Sequence, residues 1–416
     1  ARKFMLKKFI NCRLVRDHEL LDDIDLWVEN GKVIDPQQRF WLLGRSSASE
    51  VVSHSEPSVI DCKGLIIAPG FIDLQVNGGF GVDFSADDGK TSSILHEDVD
   101  ILSKCLLAHG VTAYLPTIVT STHETYRSLL STNSPLSPCA GDCHRGASRL
   151  GIHLEGPFIS QQKFGAHSKQ LIQDPTVLGL TQCYGSLEGV SIVTLAPELQ
   201  GSIDCISYLR KRNIVCSLGH STASLKQSLA GIDAGATLLT HLFSAMPAFH
   251  HRDPGLVGLL GCSPSVLRQF FYSLIVDGIH CKAESVNMAF KCHPEGVVLI
   301  TDAIMATGLQ PGAYQLGTKN VTVTNDSAFI TGTDILAGAV CSMAQCVRNF
   351  KAFTHCSIPE AVEAASLHPA QVLGISDQKG SLAFGCDADF VLLDDNLIPQ
   401  ETFISGQKVW SRTQSF

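Results

Sequence analysis

Short apolar runs alternate with stretches of helical periodicity through most of this chain. Eight of the runs read as buried strands: Leu65–Gln75, Val111–Val119, Leu150–Leu154, Val190–Ala196, Ile214–Leu218, Thr237–Leu239, Phe271–Val276 and Gly296–Ile300. Between them lie segments such as Ser224–Ala234, where Leu225, Leu229 and Ile232 recur on one helical face. Repeated strand–helix alternation is the signature of parallel α/β architecture. Eight such units predict a (β/α)8, TIM-like barrel rather than an open doubly wound sheet. No Gly-x-Gly-x-x-Gly or Walker string opens any of the helices, so a nucleotide-binding sheet has no motif to support it.

The two ends are patterned differently. Lys8–Leu14, Ile24–Glu29 with the turn Asn30-Gly31, Lys32–Ile34 and Val59–Asp61 read as short strands. So do Ser381–Ala383, Asp389–Leu393 and Phe403–Val409, the last interrupted at Ser405-Gly406. Two distant β segments flanking an α/β centre predict one small β-sandwich domain built from residues 1–65 and 375–416, beside a catalytic barrel over 66–374. Ser46–Ser58 and Ser131–Ser148 read as loops.

With 416 residues, 44% of them hydrophobic and 17% charged, the chain can bury a large core. A net charge of −9 without any Lys/Arg block argues against a nucleic-acid partner. No apolar run reaches the roughly 18 residues of a membrane span. The basic opening Ala1–Ile10 has its apolar run broken by lysines, so neither a membrane segment nor a signal peptide is expected. Fifteen cysteines, scattered and without a CxxC pair, predict free thiols in a reducing compartment and hence a cytoplasmic protein.

Chemistry enters with four strings that each follow a predicted strand: His153-Leu154-Glu155-Gly156-Pro157, Gly219-His220-Ser221, Thr240-His241 and Thr301-Asp302-Ala303. In a parallel barrel those strand ends share one mouth, where catalytic groups collect. Two His and one Glu form the open ligand set of a hydrolytic metal site, and Asp302 supplies a proton acceptor for the attacking water. His220 and His241 are one strand–helix–strand step apart, which places them on neighbouring strands at one height. Period-two alternation turns Asp73, Gln75 and Asn77 to one side of the first strand. Carboxamides hold a transition metal more weakly than imidazole does, which favours one metal over two. Gln75 and Asn77 read equally well as polar residues hydrogen-bonded at a barrel end. Taken singly, Glu155 reads as a solvated loop residue, either His as a satisfied core imidazole and Asp302 as an N-cap. Their recurrence at equivalent strand ends shifts the balance toward a ligand set.

These residues belong to a longer set of strings. The others are Ala68-Pro69-Gly70-Phe71-Ile72-Asp73-Leu74-Gln75 with Asn77-Gly78-Gly79, Gly165-Ala166-His167, Leu242-Phe243-Ser244-Ala245-Met246, Asp277-Gly278-Ile279-His280 and Gly385-Cys386-Asp387-Ala388-Asp389-Phe390. Together they make the chain resemble the amidohydrolase superfamily over essentially its whole length, and within it the deacetylases acting on N-acetylglucosamine 6-phosphate. Gln75-x-Asn77 in place of the superfamily's first His-x-His is typical of that branch.

The resemblance implies that Glu155, His220 and His241 hold one divalent metal ion per subunit, zinc, and that Asp302 is the catalytic acid/base. It implies that His167 and His280 contact a sugar phosphate, that Ala245 offers backbone to it beside Ser244, and that Arg252 binds its phosphate. It further implies a homodimer, with part of the phosphate pocket lent by the partner subunit. By position alone, Arg252 lies in a loop beyond the sixth strand, where a cation meets a dianion or solvent equally well. Ser244 departs from the family, which usually has Asn there, so a substrate contact is shortened or passes through water. The implied reaction is metal-dependent hydrolysis of the acetamide of N-acetylglucosamine 6-phosphate, giving glucosamine 6-phosphate and acetate in amino-sugar catabolism. Two rivals are another mononuclear amidohydrolase, a cyclic amidase or deaminase with no use for Arg252 or His280, and an inactive scaffold.

Overall fold

A computed structural model describes residues 6–45, 56–85, 94–131, 133–316 and 319–414. Eight parallel strands form its centre: β1 (Phe71–Val76), β2 (Val111–Val119), β3 (Ile152–Glu155), β4 (Val190–Leu195), β5 (Val215–Leu218), β6 (Leu238–Leu239), β7 (Phe271–Ile275) and β8 (Val297–Ile300). Each pairs with its neighbour in sequence order, from β1–β2 to β7–β8. This is the expected (β/α)8, TIM-like barrel. Helices such as Leu225–Ala234 connect the strands on the outside. That helix begins where a capping box forms, with Ser224 accepting from the Gln227 N–H and the Gln227 side chain returning to Ser224.

The seam between β8 and β1 closes without a regular ladder. At the lower end, the backbone of Ala364 and Ala365 inserts between the two strands, and its carbonyls accept from Leu299 N–H and Ile72 N–H, both at 2.8 Å. Both alanines are fully buried, so side chains any larger would have to displace a strand. Higher up, the Asp73 carboxylate replaces the missing ladder, accepting from Thr301 Oγ1 at 2.6 Å and Thr301 N–H at 3.2 Å. At the rim, Asp302 N–H donates to Gln75 O at 3.0 Å and Asn77 N–H to Ala303 O at 2.8 Å.

Strands from both ends of the chain share a six-stranded sheet, ordered Gln407–Ser411, Pro399–Ile404, Phe390–Leu393, Ile66–Pro69, Arg13–Arg16 and Glu19–Leu21. A four-stranded sheet faces it across a separate small core. In that core Phe9 meets Phe390 and Phe403 edge-on, with ring centroids 5.0 and 5.4 Å apart. The apolar run Leu65–Gln75 therefore holds two strands: Ile66–Pro69 belongs to the terminal sheet and Phe71–Val76 to the barrel. They part at Gly70, where a Cβ would sit 2.2 Å from Thr112 Oγ1. Lys8–Leu14 likewise divides, into Leu6–Ile10 and Arg13–Arg16 in different sheets. Ser381–Ala383 is not a strand. Most of the loop expected at Ser46–Ser58 lies outside the described residues. A three-stranded antiparallel sheet (Gly312–Leu316, Lys319–Val323, Ala328–Ile330) was not anticipated; it follows Asp302 and packs on its own cluster around Ile304, Val321 and Val323.

Burial raises the Asp73 carboxyl to about 7, although the hydrogen bonds from Thr301 and Gln75 oppose it. Between about pH 4 and 7 the folded chain thus holds a proton at Asp73 that the unfolded chain has released. Asp73 contributes most below pH 4, and that contribution declines as pH rises toward 7. In urea titrations, the stability of the wild type relative to Asp73→Asn is expected to fall over this window and level off above it.

Candidate active site

All four strings reach one mouth. Glu155 ends β3, His220 follows β5, His241 follows β6 and Asp302 follows β8; Glu155, His220 and His241 are buried and Asp302 is half-buried. His220, His241 and Asp302 have φ of 47°, 30° and 51°, a left-handed conformation in which non-glycine residues are strained. The chain turns sharply at each strand end, which aims the side chain inward. Gly156 turns the chain after Glu155 with φ +82°, and a Cβ there would lie 2.3 Å from Thr120 Oγ1.

One carboxylate oxygen is the hub. Glu155 Oε1 lies 2.9 Å from His241 Nε2, 3.1 Å from His220 Nε2 and 3.0 Å from Gln75 Nε2. The two imidazole Nε2 atoms are 3.1 Å apart. Across the carboxylate, His167 Nε2 approaches Oε2 at 3.7 Å. Burial favours the neutral acid, but the close approach of His220 and His241 outweighs it and holds the Glu155 carboxyl well below its usual range. Burial also opposes charge on His241, and the bond to Glu155 again prevails, raising its pKa.

This donor set fits a divalent metal. His220 Nδ1 lies 2.8 Å from the Lys163 carbonyl, which fixes its proton on Nδ1 and turns the Nε2 lone pair toward Glu155. A lone pair facing a carboxylate at 3.1 Å needs a cation or a proton between them. One Glu and two His, with ligand atoms about 3 Å from one another and an open side, form the ligand pattern of a catalytic metal site. Glu155, His167 and His220 also offer ligand atoms within 4.8 Å of one another.

Asp302 is held from the first strand. Its Oδ1 accepts from Asn77 Nδ2 at 2.7 Å and Gln75 Nε2 at 3.0 Å. Burial and the nearby Glu155 charge raise its carboxyl above the ordinary range, against His241, Asn77 and His280. Gln75 and Asn77 thus both hydrogen-bond to Asp302, and Gln75 donates to both carboxylates.

The mouth opens into a cavity of about 460 Å³. Its wall includes His167, Ser244, Ala245 and His280, together with Glu155, His220, His241 and Asp302. His280 Nδ1 sits 2.6 Å from Asp277 Oδ2. Burial would raise Asp277, but His280 and two backbone N–H groups hold it below its usual range. Arg252 is exposed on a neighbouring loop and does not line the cavity. Sequence reasoning passed over Thr120, whose N–H donates to His167 Nδ1 at 3.3 Å. It also passed over Asp83 and the Leu336–Gly338 wall. Thr120 gave a usable signal, because Thr120-Ser121 directly follows β2 just as the other strings follow their strands.

The chain belongs to the amidohydrolase family, whose sequence model matches residues 66–409. Among its relatives are enzymes named N-acetylglucosamine-6-phosphate deacetylase. That of Danio rerio is 44% identical over 413 residues, covering 98% of this chain and 97% of the relative. That of Homo sapiens is 45% identical over 407 residues, covering 97% and 95%. A mutant of the Mycobacterium smegmatis enzyme, solved in complex with N-acetyl-D-glucosamine-6-phosphate, superposes with a TM-score of 0.79 at 28% identity, covering 98% of this chain and 100% of its own.

Glu155→Gln removes the charge on which the imidazoles converge. Elemental analysis after dialysis should show a divalent metal retained by the wild type and held at least about 100-fold more weakly by the variant. Equal retention would remove Glu155 from the ligand set.

Proposed function

We propose that this chain hydrolyses the acetamide of N-acetylglucosamine 6-phosphate, releasing acetate and glucosamine 6-phosphate. One observation carries the reading: a buried Glu–His–His set and a separately held carboxylate share one cavity mouth, in a chain 44–45% identical to enzymes of that name.

Glu155, His220 and His241 would hold one divalent ion, and nitrogen-rich donors with one carboxylate suit zinc. When bound, the ion supplies Lewis-acid polarisation and makes water acidic enough to attack near neutral pH. Asp302 takes the proton of the attacking water and passes it to the departing amine nitrogen. Its raised pKa suits that exchange, and Gln75 and Asn77 keep its oxygen aimed. Thr120 N–H on His167 Nδ1 puts the imidazole proton on Nε2, where it can donate to the acetyl oxygen as charge develops. His280, Ser244 and Ala245 meet the sugar phosphate from the cavity wall.

The phosphate is a dianion, and among the described residues none that lines the cavity is Lys or Arg. Arg252 lies exposed in the loop beyond β6. This arrangement supports a homodimer in which a basic residue reaches the cavity from the partner subunit. All fifteen cysteines are free thiols, which supports the reducing cytoplasm as the location.

Acetate release from N-acetylglucosamine 6-phosphate, with unphosphorylated N-acetylglucosamine alongside, tests substrate and anion pocket together. Rapid release from the phosphorylated sugar alone is expected; release from neither, in metal-replete protein, would overturn the assignment. Asp302→Asn should lower turnover about a hundred- to ten-thousand-fold while metal content stays unchanged. Normal turnover in that variant would remove Asp302 from the proton transfer.

A further inference from the structure

His220 owes its position to a short turn, Gly219–Ser224, that has no ladder of its own beyond β5 (Val215–Leu218). Four ties hold the turn. Gly219 N–H donates to Leu195 O at 3.3 Å, Ser160 N–H to His220 O at 2.8 Å and Ser221 N–H to Ala245 O at 3.2 Å, and the fourth tie is a carboxylate. Glu198, just past the end of β4, accepts from Ser221 Oγ at 2.6 Å, Thr222 N–H at 2.6 Å and Thr222 Oγ1 at 3.0 Å. Ser221 Oγ in turn accepts from Ala223 N–H at 2.9 Å. Three donors from the two residues after His220 thus converge on one half-buried side chain from the neighbouring strand end.

We infer that Glu198 is a positioning residue for the metal site, clamping the turn that holds His220 in its left-handed conformation with Nε2 aimed at Glu155. It touches neither ligand atoms nor the cavity. Its effect passes through Ser221 and Thr222 to the backbone of His220, whose φ of 47° is strained for a non-glycine residue. Released from the clamp, the turn can relax toward an ordinary conformation and swing the imidazole out of the set. Loss of such outer support typically weakens metal binding about 10- to 100-fold. The inference rests on the reading of Glu155, His220 and His241 as metal ligands.

The test compares Glu198→Ala with Glu198→Gln by chelator competition for zinc, with thermal unfolding of the metal-free proteins alongside. Glu198→Gln keeps an acceptor for Thr222 and an amide donor for the Ser221 hydroxyl, so it should retain zinc as the wild type does. Glu198→Ala should bind zinc about 10- to 100-fold more weakly, with a metal-free Tm close to that of wild type. Unchanged zinc affinity in Glu198→Ala would overturn the inference. So would a Tm loss shared by both variants without an affinity difference between them, because that marks a purely structural cap. If Glu198→Ala does not fold, Thr222→Val, which deletes one hydroxyl donor, should still weaken zinc binding, and unchanged affinity there would overturn the inference. A wild type that binds no zinc would instead defeat the metal-site reading itself.

Discussion

A carboxylate carried into the barrel at full burial is the constraint around which this molecule is arranged. Ionised Glu155 would be prohibitively unfavourable there without partners. Its partners come from separate parts of the chain: Gln75 from β1, His220 from beyond β5, His241 from beyond β6 and His167 from the loop after β3. Serving one carboxylate obliges those strand ends to stand at nearly the same height. The layer beneath is polar but neutral. His153, two residues before Glu155 and on the same side of the strand, is pulled down to about 4 by burial. It lies 3.0 Å from Leu74 O and 2.8 Å from Thr194 Oγ1. One imidazole of this strand is thus neutral structure, while the carboxylate two residues on is the charged centre.

The second carboxylate depends on the least regular part of the barrel. No ladder joins β8 to β1, so Asp302 is located by individual contacts: Asp73 on Thr301, the Ala364–Ala365 insertion below, and the Gln75 and Asn77 amides above. A fully laddered seam would leave no gap for those side chains to bridge. Left-handed backbone at His220, His241 and Asp302 opposes folding by about 1–2 kcal/mol per residue. It persists because the surrounding bonds, including those of Ser273 on His241 N–H and Gln75 O on Asp302 N–H, specify it.

The groups that meet at the cavity mouth were legible in the sequence because each stands at the end of an apolar run, and in a parallel barrel sequence position at a strand end is position at the mouth. Glu198 was not, since it meets Ser221 and Thr222 of another loop and a single sequence does not reveal which loop a carboxylate faces. The division of Leu65–Gln75 was hidden for a different reason. Ile66–Pro69 and Phe71–Val76 are buried throughout, so hydrophobicity runs on unbroken while the chain passes from one sheet to another. The Gly312–Ile330 sheet packs on a cluster of its own, away from the repeating strand–helix units. Arg252 shows the converse limit: its residue type suits a phosphate, but its place in one chain is on the outside.

Gln75 bears on how many cations the site needs. Imidazoles on the first strand would bring lone pairs toward Glu155 and Asp302, and acceptors crowded on acceptors call for a second positive ion. A carboxamide reverses the polarity. Gln75 Nε2 stands 3.0 Å from both Glu155 Oε1 and Asp302 Oδ1, so each of its two N–H bonds can serve one carboxylate, and Asn77 adds a third. These neutral donors relieve the repulsion between the two acids without neutralising either. In the reading proposed above, Glu155 is then left to one cation shared with His220 and His241. Asp302, bonded to the Gln75 and Asn77 amides, keeps the place that the proposed proton transfer asks of it.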